Sequence, residues 1–141
     1  MEEMEEKIFF DHEKLVVYRR ALEVIEFFEI IFKKGISSSY KNQLERASSS
    51  IVHNISEGNG KYTSKDRCKY FDIARGSALE CASGLDIQYI KNVISKEELY
   101  KGKSLLREVV SMLVGLIKNN SKDRVYEPSV EYKDNNVEEE E

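Results

Sequence analysis

The stretch Phe71-Asp72-Ile73-Ala74-Arg75-Gly76-Ser77-Ala78-Leu79-Glu80-Cys81-Ala82-Ser83-Gly84-Leu85 decides the fold class. Phe71, Ala74, Ala78, Cys81 and Leu85, followed by Gln88, step by three or four residues, the spacing of one helical face. Most of the side chains along it are small: Ala74, Gly76, Ser77, Ala78, Ala82, Ser83 and Gly84. Small side chains let another helix approach closely. Two glycines inside a helix cost about 1 kcal/mol each, so close contact is the expected reason for them. The spacing predicts a centrally placed helix over about residues 64–92, capped by Thr63 or Ser64 and with Asp66 in its first turn.

Towards the N-terminus, Leu44, Ala47, Ile51 and Ile55 make a narrow apolar stripe, predicting a helix over about 39–59. Ser37-Ser38-Ser39 offers N-cap oxygens, and Gly58-Asn59-Gly60 is expected to end the helix in the left-handed conformation. Before it, Leu15, Tyr18, Leu22, Ile25, Phe28 and Phe32 form the expected seam of a helix over about 11–34, stopped by Gly35. Val16, Val17, Val24, Phe27, Ile30 and Ile31 widen that face, which fits either a broad core face or an interface. Towards the C-terminus, Ser95-Lys96-Glu97-Glu98 matches a capping box opening a helix over about 95–119. Its seam reads Leu99, Leu105 or Leu106, Val109, Met112 or Leu113, Leu116 and Ile117.

The only proline is Pro128, outside the periodic region, and an interior proline would cost a helix about 3 kcal/mol. Short connections make successive helices antiparallel neighbours. The expectation is an all-α, up-down-up-down antiparallel four-helix bundle over 11–120. Residues 1–10 form an acidic N-terminal tail, and 121–141 an acidic C-terminal tail expected to be disordered.

The net charge of −4 conceals a segregation. Residues 1–6 hold four acids, and 127–141 hold seven acids and one lysine. Residues 7–126 hold 21 basic and 15 acidic groups, a net of +6. Acidic tails stay solvated, and a basic body attracts nucleic acid. No apolar run approaches the roughly 20 residues that span a bilayer. The acidic start differs from the basic n-region of a secretory signal, so the chain is read as cytoplasmic. Cys68 and Cys81 are 13 residues apart on one expected helix, about 20 Å along its axis, too far for a disulfide.

Polar residues interrupt the second helix. Arg46, Ser50, His53 and Glu57 recur beside the apolar stripe, with Asn54 adjacent, and Asp72, Arg75 and Glu80 interrupt the third helix. Pairing the two helices about a turn near residue 63 sets Arg46 opposite Glu80 and Glu57 opposite Lys69. Such pairs fix register more than they add stability. Arg46, Asn54, Glu57, Arg75 and Glu80 are therefore read as structural polar contacts. A metal or acid–base site at His53, Glu57 and Asp72 is the competing reading. It lacks the paired Glu-x-x-His motifs of bundle metal sites, and no phosphate loop or nucleophile elbow occurs. No catalytic residue, metal, cofactor or small-molecule substrate is assigned.

The same residues carry a resemblance. Gln43-Leu44-Glu45-Arg46-Ala47, Ser50-Ile51 and Asn54-Ile55-Ser56-Glu57-Gly58, then Ala74-Arg75-Gly76-Ser77 with Glu80, then Phe10 to Tyr18 with Arg20-Ala21, resemble the bacterial 23S rRNA intervening-sequence protein family. The resemblance covers about residues 9–119, with Ser56 standing where alanine is usual and the tail from Glu127 outside the pattern. It implies a four-helix bundle, assembly into a ring-shaped homopentamer and no catalytic residues. A more distant relative, the accessory protein of diversity-generating retroelements, binds a reverse transcriptase and RNA.

Two functions follow as expectations. In the first, the chain is a non-catalytic homo-oligomer associated with ribosomal or other structured RNA. Lys61, Lys65, Arg67 and Lys69 then meet Lys118, Lys122 and Arg124 at one end, with Tyr62 and Tyr70 nearby to stack on bases. A second basic group, Lys91, Lys96, Lys101 and Lys103, falls at the other end. In the second, the chain is a protein–protein interaction scaffold with no nucleic-acid role.

Overall fold

The computed structural model describes residues 7–121. The expected tails beyond them, including Lys122, Arg124 and Glu127, lie outside the described residues. The structure is all-helical, with no strand among the described residues: α1 (Val16–Ile31), α2 (Ser38–Asn59), α3 (Ser64–Ile90) and α4 (Lys96–Asn119). Single 3-10 turns, Asp11–Lys14 and Phe32–Lys34, flank α1.

The first expected helix is thus divided. Leu15 is extended (φ −76°, ψ 129°) between the Asp11–Lys14 turn and α1. No Ser, Thr, Asn or Asp directly precedes Val16, and Asp11 turns its carboxylate to the Asn59 amide instead, 3.0 Å away. At the other end Gly35 stops the chain in the left-handed conformation (φ 94°). The remaining caps follow the sequence. Ser37 Oγ accepts from the Tyr40 N–H, Thr63 Oγ1 from the Asp66 N–H, and Ser95 with Glu98 forms a complete capping box.

The buried seams of α2 and α3 are those expected. Leu44, Ala47, Ile51 and Ile55 are buried on α2, and Phe71, Ala74, Ala78, Cys81, Leu85 and Gln88 on α3. On α4, Leu99, Leu106, Val109 and Leu113 go inside, with Leu105, Met112, Leu116 and Ile117 half-buried. On α1 the seam is rotated. Val17, Ala21, Val24, Phe27, Phe28 and Ile31 are buried, whereas the expected Leu15, Tyr18, Leu22, Ile25 and Phe32 are only half-buried. Both series have helical spacing, so periodicity alone could not choose between them. Close packing chooses the series that contains Ala21 and places Phe27 against Gly102.

Each helix packs on two others: α2 on α1 and α3, α4 on α3 and α1. Partners descend along α3 as they rise along α2. A Cβ built on Gly84 would lie 2.5 Å from Leu44, Ser77 Oγ donates to Ser50 Oγ at 2.8 Å, and Gly58 abuts Phe71. The same descending order joins α3 to α4 (Leu85 by Gly102, Cys68 by Ile117) and α1 to α4 (Phe27 by Gly102, Arg20 by Glu108).

Three expectations about glycine are corrected here. Gly58 is a point of close approach, since an added Cβ would lie 2.9 Å from the Phe71 ring. Gly60 has φ −86°, so α2 does not end in the left-handed conformation; that conformation falls at Gly35 and Asn92. Gly84 serves close helix contact, but Gly76 has nothing within 4 Å of a built Cβ. Among the described residues no helix is long and apolar enough to cross a membrane.

Candidate nucleic-acid interface

The end of the molecule where α2 passes into α3 and α4 finishes gathers five of the expected cations. Thr63 caps α3, which sets Lys65, Arg67 and Lys69 on its first two turns. Cys68 lies between Arg67 and Lys69. Its thiol contacts the Ile117 carbonyl at 3.5 Å and Ser121 Oγ at 3.1 Å, which holds the start of α3 against the end of α4, beside Lys118. Lys61 Nζ lies 5.0 Å from the centroid of the Tyr70 ring, and Lys69 Nζ 5.8 Å from it. Such cation–ring contacts leave the ammonium positive and accessible. Lys122 and Arg124 lie outside the described residues.

Among the described residues the acids at this end are few, and two of them are engaged. Glu57 reaches Lys61 at 3.8 Å. Asp11 is held by the Asn59 amide and by Lys14 at 3.4 Å, which keeps its carboxyl below the usual carboxylate range. Asp66 sits in the first turn of α3, where the helix dipole favours an acid. Among the described residues, Lys65, Arg67 and Lys69 form no ion pair. The positive end of the α3 dipole adds to their field.

The second basic group is differently placed. Lys103 pairs with Asp86 at 2.8 Å, and Lys91 lies 5.5 Å from the Tyr40 ring. Lys34 pairs with Glu98 at 2.6 Å nearby. Lys96 and Lys101 are exposed.

The polar residues of α2 and α3 assemble otherwise than expected. Arg46 and Glu80 are both exposed and form no ion pair among the described residues, and Glu57 turns to Lys61 instead of Lys69. The seam between the helices is filled by Leu44, Ile51 and Ile55, so both charged positions fall on outer faces. Arg75 pairs with Asp72 on its own helix at 3.0 Å. The polar contact that does cross the seam is Ser50–Ser77, with the Asn54 amide donating to the Ser50 carbonyl (2.9 Å) and Oγ (3.0 Å). Ser77 was missed as its partner because a hydroxyl in a small-residue run reads as packing.

His53, Glu57 and Asp72 do not converge. His53 and Glu57 are exposed, and Asp72 faces Arg75. No group of three His, Cys, Asp or Glu side chains among the described residues is placed to hold a metal ion. Burial, and then the Glu80 carboxylate, push the Cys81 thiol up to about 12, so at neutral pH it is a protonated core side chain and not a nucleophile.

Two surface features escaped the sequence reading. Ile8, Phe9 and Phe10 are exposed beside the basic end. On α3, Ile73, Leu79, Ile87 and Ile90 are exposed, while most of the broad apolar face of α1 is absorbed by the core. The α3 residues surround the small-residue run that drew attention as a seam, which masked their own outward face.

A family model described as 23S rRNA-intervening sequence protein matches residues 13–115. Among solved structures, a protein of unknown function from the S23 ribosomal protein family of Bacteroides thetaiotaomicron is similar, with a TM-score of 0.67 and 21% identity. The match covers 73% of this chain and 99% of that one. No curated protein matches.

Proposed function

Because the chain belongs to the 23S rRNA-intervening sequence protein family, we propose that it is a non-catalytic, homo-oligomeric binding protein that associates with ribosomal or other structured RNA. The observation that carries this reading is the basic end. Lys61, Lys65, Arg67, Lys69 and Lys118 lie together there, and three of them form no ion pair within the described chain. Cations placed so can neutralise several phosphates and release their counterions on binding. As part of the same reading, the helices form an up-down-up-down antiparallel bundle working in the cytoplasm. The descending order of partners along the α2–α3, α3–α4 and α1–α4 pairs supports the bundle.

The oligomer is part of the proposal too. Ile73, Leu79, Ile87 and Ile90 give α3 an exposed apolar face, and Gly76 leaves the middle of it flat. Contiguous exposed apolar surface marks an interaction site. A homopentameric ring is the arrangement the family resemblance implies. The same face favours a second reading, a protein–protein scaffold with no nucleic-acid role.

Size exclusion coupled to light scattering, at low and high salt with absorbance at 260 and 280 nm, separates the two. The RNA reading expects an oligomer that sheds nucleic acid as salt rises. An oligomer free of nucleic acid at low salt favours the scaffold, and a monomer removes the assembly from both. Charge reversal sharpens the result. Lys61→Glu with Lys65→Glu and Lys69→Glu should abolish RNA retention, while Lys96→Glu with Lys101→Glu should leave it largely intact.

A further inference from the structure

The aromatic side chains at the basic end carry the reading further. Phe9, Phe10 and Tyr62 are 74%, 65% and 96% exposed. Two adjacent phenylalanines left in water at this level are costly, at about 25 cal/mol per Å² of apolar surface. They are also held in place. The Phe9 N–H donates to Glu13 Oε1 at 3.0 Å, the Glu13 N–H to the Phe10 carbonyl at 3.0 Å, and Asp11 accepts from the Asn59 amide at 3.0 Å. Asn59 lies one turn before Tyr62, so the same bond sets the phenylalanines beside the basic turn. The Phe10 and His12 rings are parallel to within 4°, with centroids 6.0 Å apart, and Tyr18 meets His12 edge-on at 4.7 Å. The tight turn from Asp11 to Lys14, which replaces the first turn of the expected helix, is what keeps this group from folding into the core.

We infer that Phe9, Phe10 and Tyr62 form a stacking platform for unpaired bases, so that the RNA recognised at this end is single-stranded: a loop, a bulge or a free end. This rests on the RNA-binding reading above and specifies its ligand. Cations alone would accept duplex and single strand alike, because both present phosphate. A duplex hides the faces of its bases within its own stack, whereas splayed bases lie flat on aromatic side chains. Phenylalanine offers no hydrogen bond, so the platform reads single-strandedness and tolerates any sequence. Lys65 and Lys69 supply the charge complementarity a phosphate backbone needs, which an apolar face of a second protein copy would not.

Fluorescence anisotropy on the full chain tests this, using a 12-nucleotide oligoadenylate, a 12-nucleotide oligouridylate and a 12-base-pair RNA duplex. Wild type should bind both single strands more tightly than the duplex. Phe9→Ala with Phe10→Ala, and separately Tyr62→Ala, should weaken single-strand binding by about five- to a hundredfold and leave the duplex affinity unchanged. Circular dichroism confirms that these exposed substitutions leave the fold intact. Lys65→Ala with Lys69→Ala should weaken all three probes alike and flatten their salt dependence. If the ring variants leave single-strand affinity unchanged, the platform is overturned while the RNA-binding reading stands. If they change the oligomer size and not the affinity, the rings cover a second copy and the inference is likewise overturned. Wild type that binds no probe overturns both readings.

Discussion

The two ends of the molecule are built to different specifications. Where α1 meets α2 and α3 meets α4, the connections are packed: Ile36 and Ile94 are buried, and Ser95 and Glu98 form a complete capping box. Four of the cations there are engaged, Lys34 by Glu98, Lys103 by Asp86, and Lys41 and Lys91 by aromatic rings, while Lys96 and Lys101 are exposed. At the opposite end the α2–α3 turn leaves Tyr62 in solvent, the phenylalanines stand outside, and Lys65, Arg67 and Lys69 form no ion pair among the described residues. A closed end contributes stability. An open end leaves its charges and rings to solvent.

The largest expected effect tests whether that division is real. Phe28 is 1% exposed and stacks near Phe32 at the closed end. Phe28→Ala should cost about 3–5 kcal/mol in a urea titration. Phe9→Ala with Phe10→Ala, removing two rings at the open end, should change stability by no more than about 0.5 kcal/mol. Comparable losses from both would mean that the exposed phenylalanines are structural after all.

Glycines on α4 give the next contrast, and here the sign should change. A Cβ on Gly102 would meet Leu85 and Phe27 at 2.6 Å, so Gly102→Ala should destabilise by about 1–3 kcal/mol, less the helix propensity it gains. Gly115, further along towards the open end, has nothing within 4 Å, so Gly115→Ala should stabilise by up to about 1 kcal/mol. Thermal denaturation of the two variants side by side reads both signs.

Legibility in the sequence followed the same division. Seams confined to one stripe, such as Leu44, Ala47, Ile51 and Ile55, could be read directly because only one face of the helix is apolar. The α1 seam could not, because apolar residues cover so much of that helix that two registers fit and packing decides. Caps at Ser37, Thr63 and Ser95 were legible because their chemistry is local. Cross-helix polar contacts were not. Arg46 and Glu80 align when counted from the turn, but rotation about each helix axis sends both outward. The cations of the open end were visible as a cluster, whereas the placement of Phe9 and Phe10 beside them involves a hydrogen bond from Asn59 to Asp11, residues distant in sequence.

Caps rank third in size. Thr63→Ala, which removes a single side-chain cap at the open end, should cost about 1 kcal/mol. Ser95→Ala should cost about the same, because it removes the Ser95 Oγ that accepts from the Glu98 N–H and leaves the residue-95 backbone N–H free to keep donating to the Glu98 carboxylate. A loss at Ser95 well above that at Thr63 would show that the Ser95 Oγ also steadies the Glu98 carboxylate that Lys34 holds.

The smallest effect isolates that pair by pH. The Lys34 ammonium, and then the Ser95 backbone N–H, hold the Glu98 carboxyl below its ordinary value of 4.5. A carboxyl lowered by folding contributes stability above its unfolded pKa and loses it as pH falls through the folded pKa. Glu98→Gln keeps a side chain able to bond the Ser95 N–H but has no charge to titrate. The variant should therefore be slightly less stable than wild type at pH 7, by an amount within the 0–1 kcal/mol typical of exposed pairs. The difference should hold down to about pH 5 and shrink between there and pH 3, as wild-type Glu98 takes up its proton. Urea midpoints at pH 7 and pH 3 check this. A gap of the same size at both values would assign the contribution of Glu98 to hydrogen-bond geometry alone, and the closed end would then owe its stability to packing and caps without help from charge.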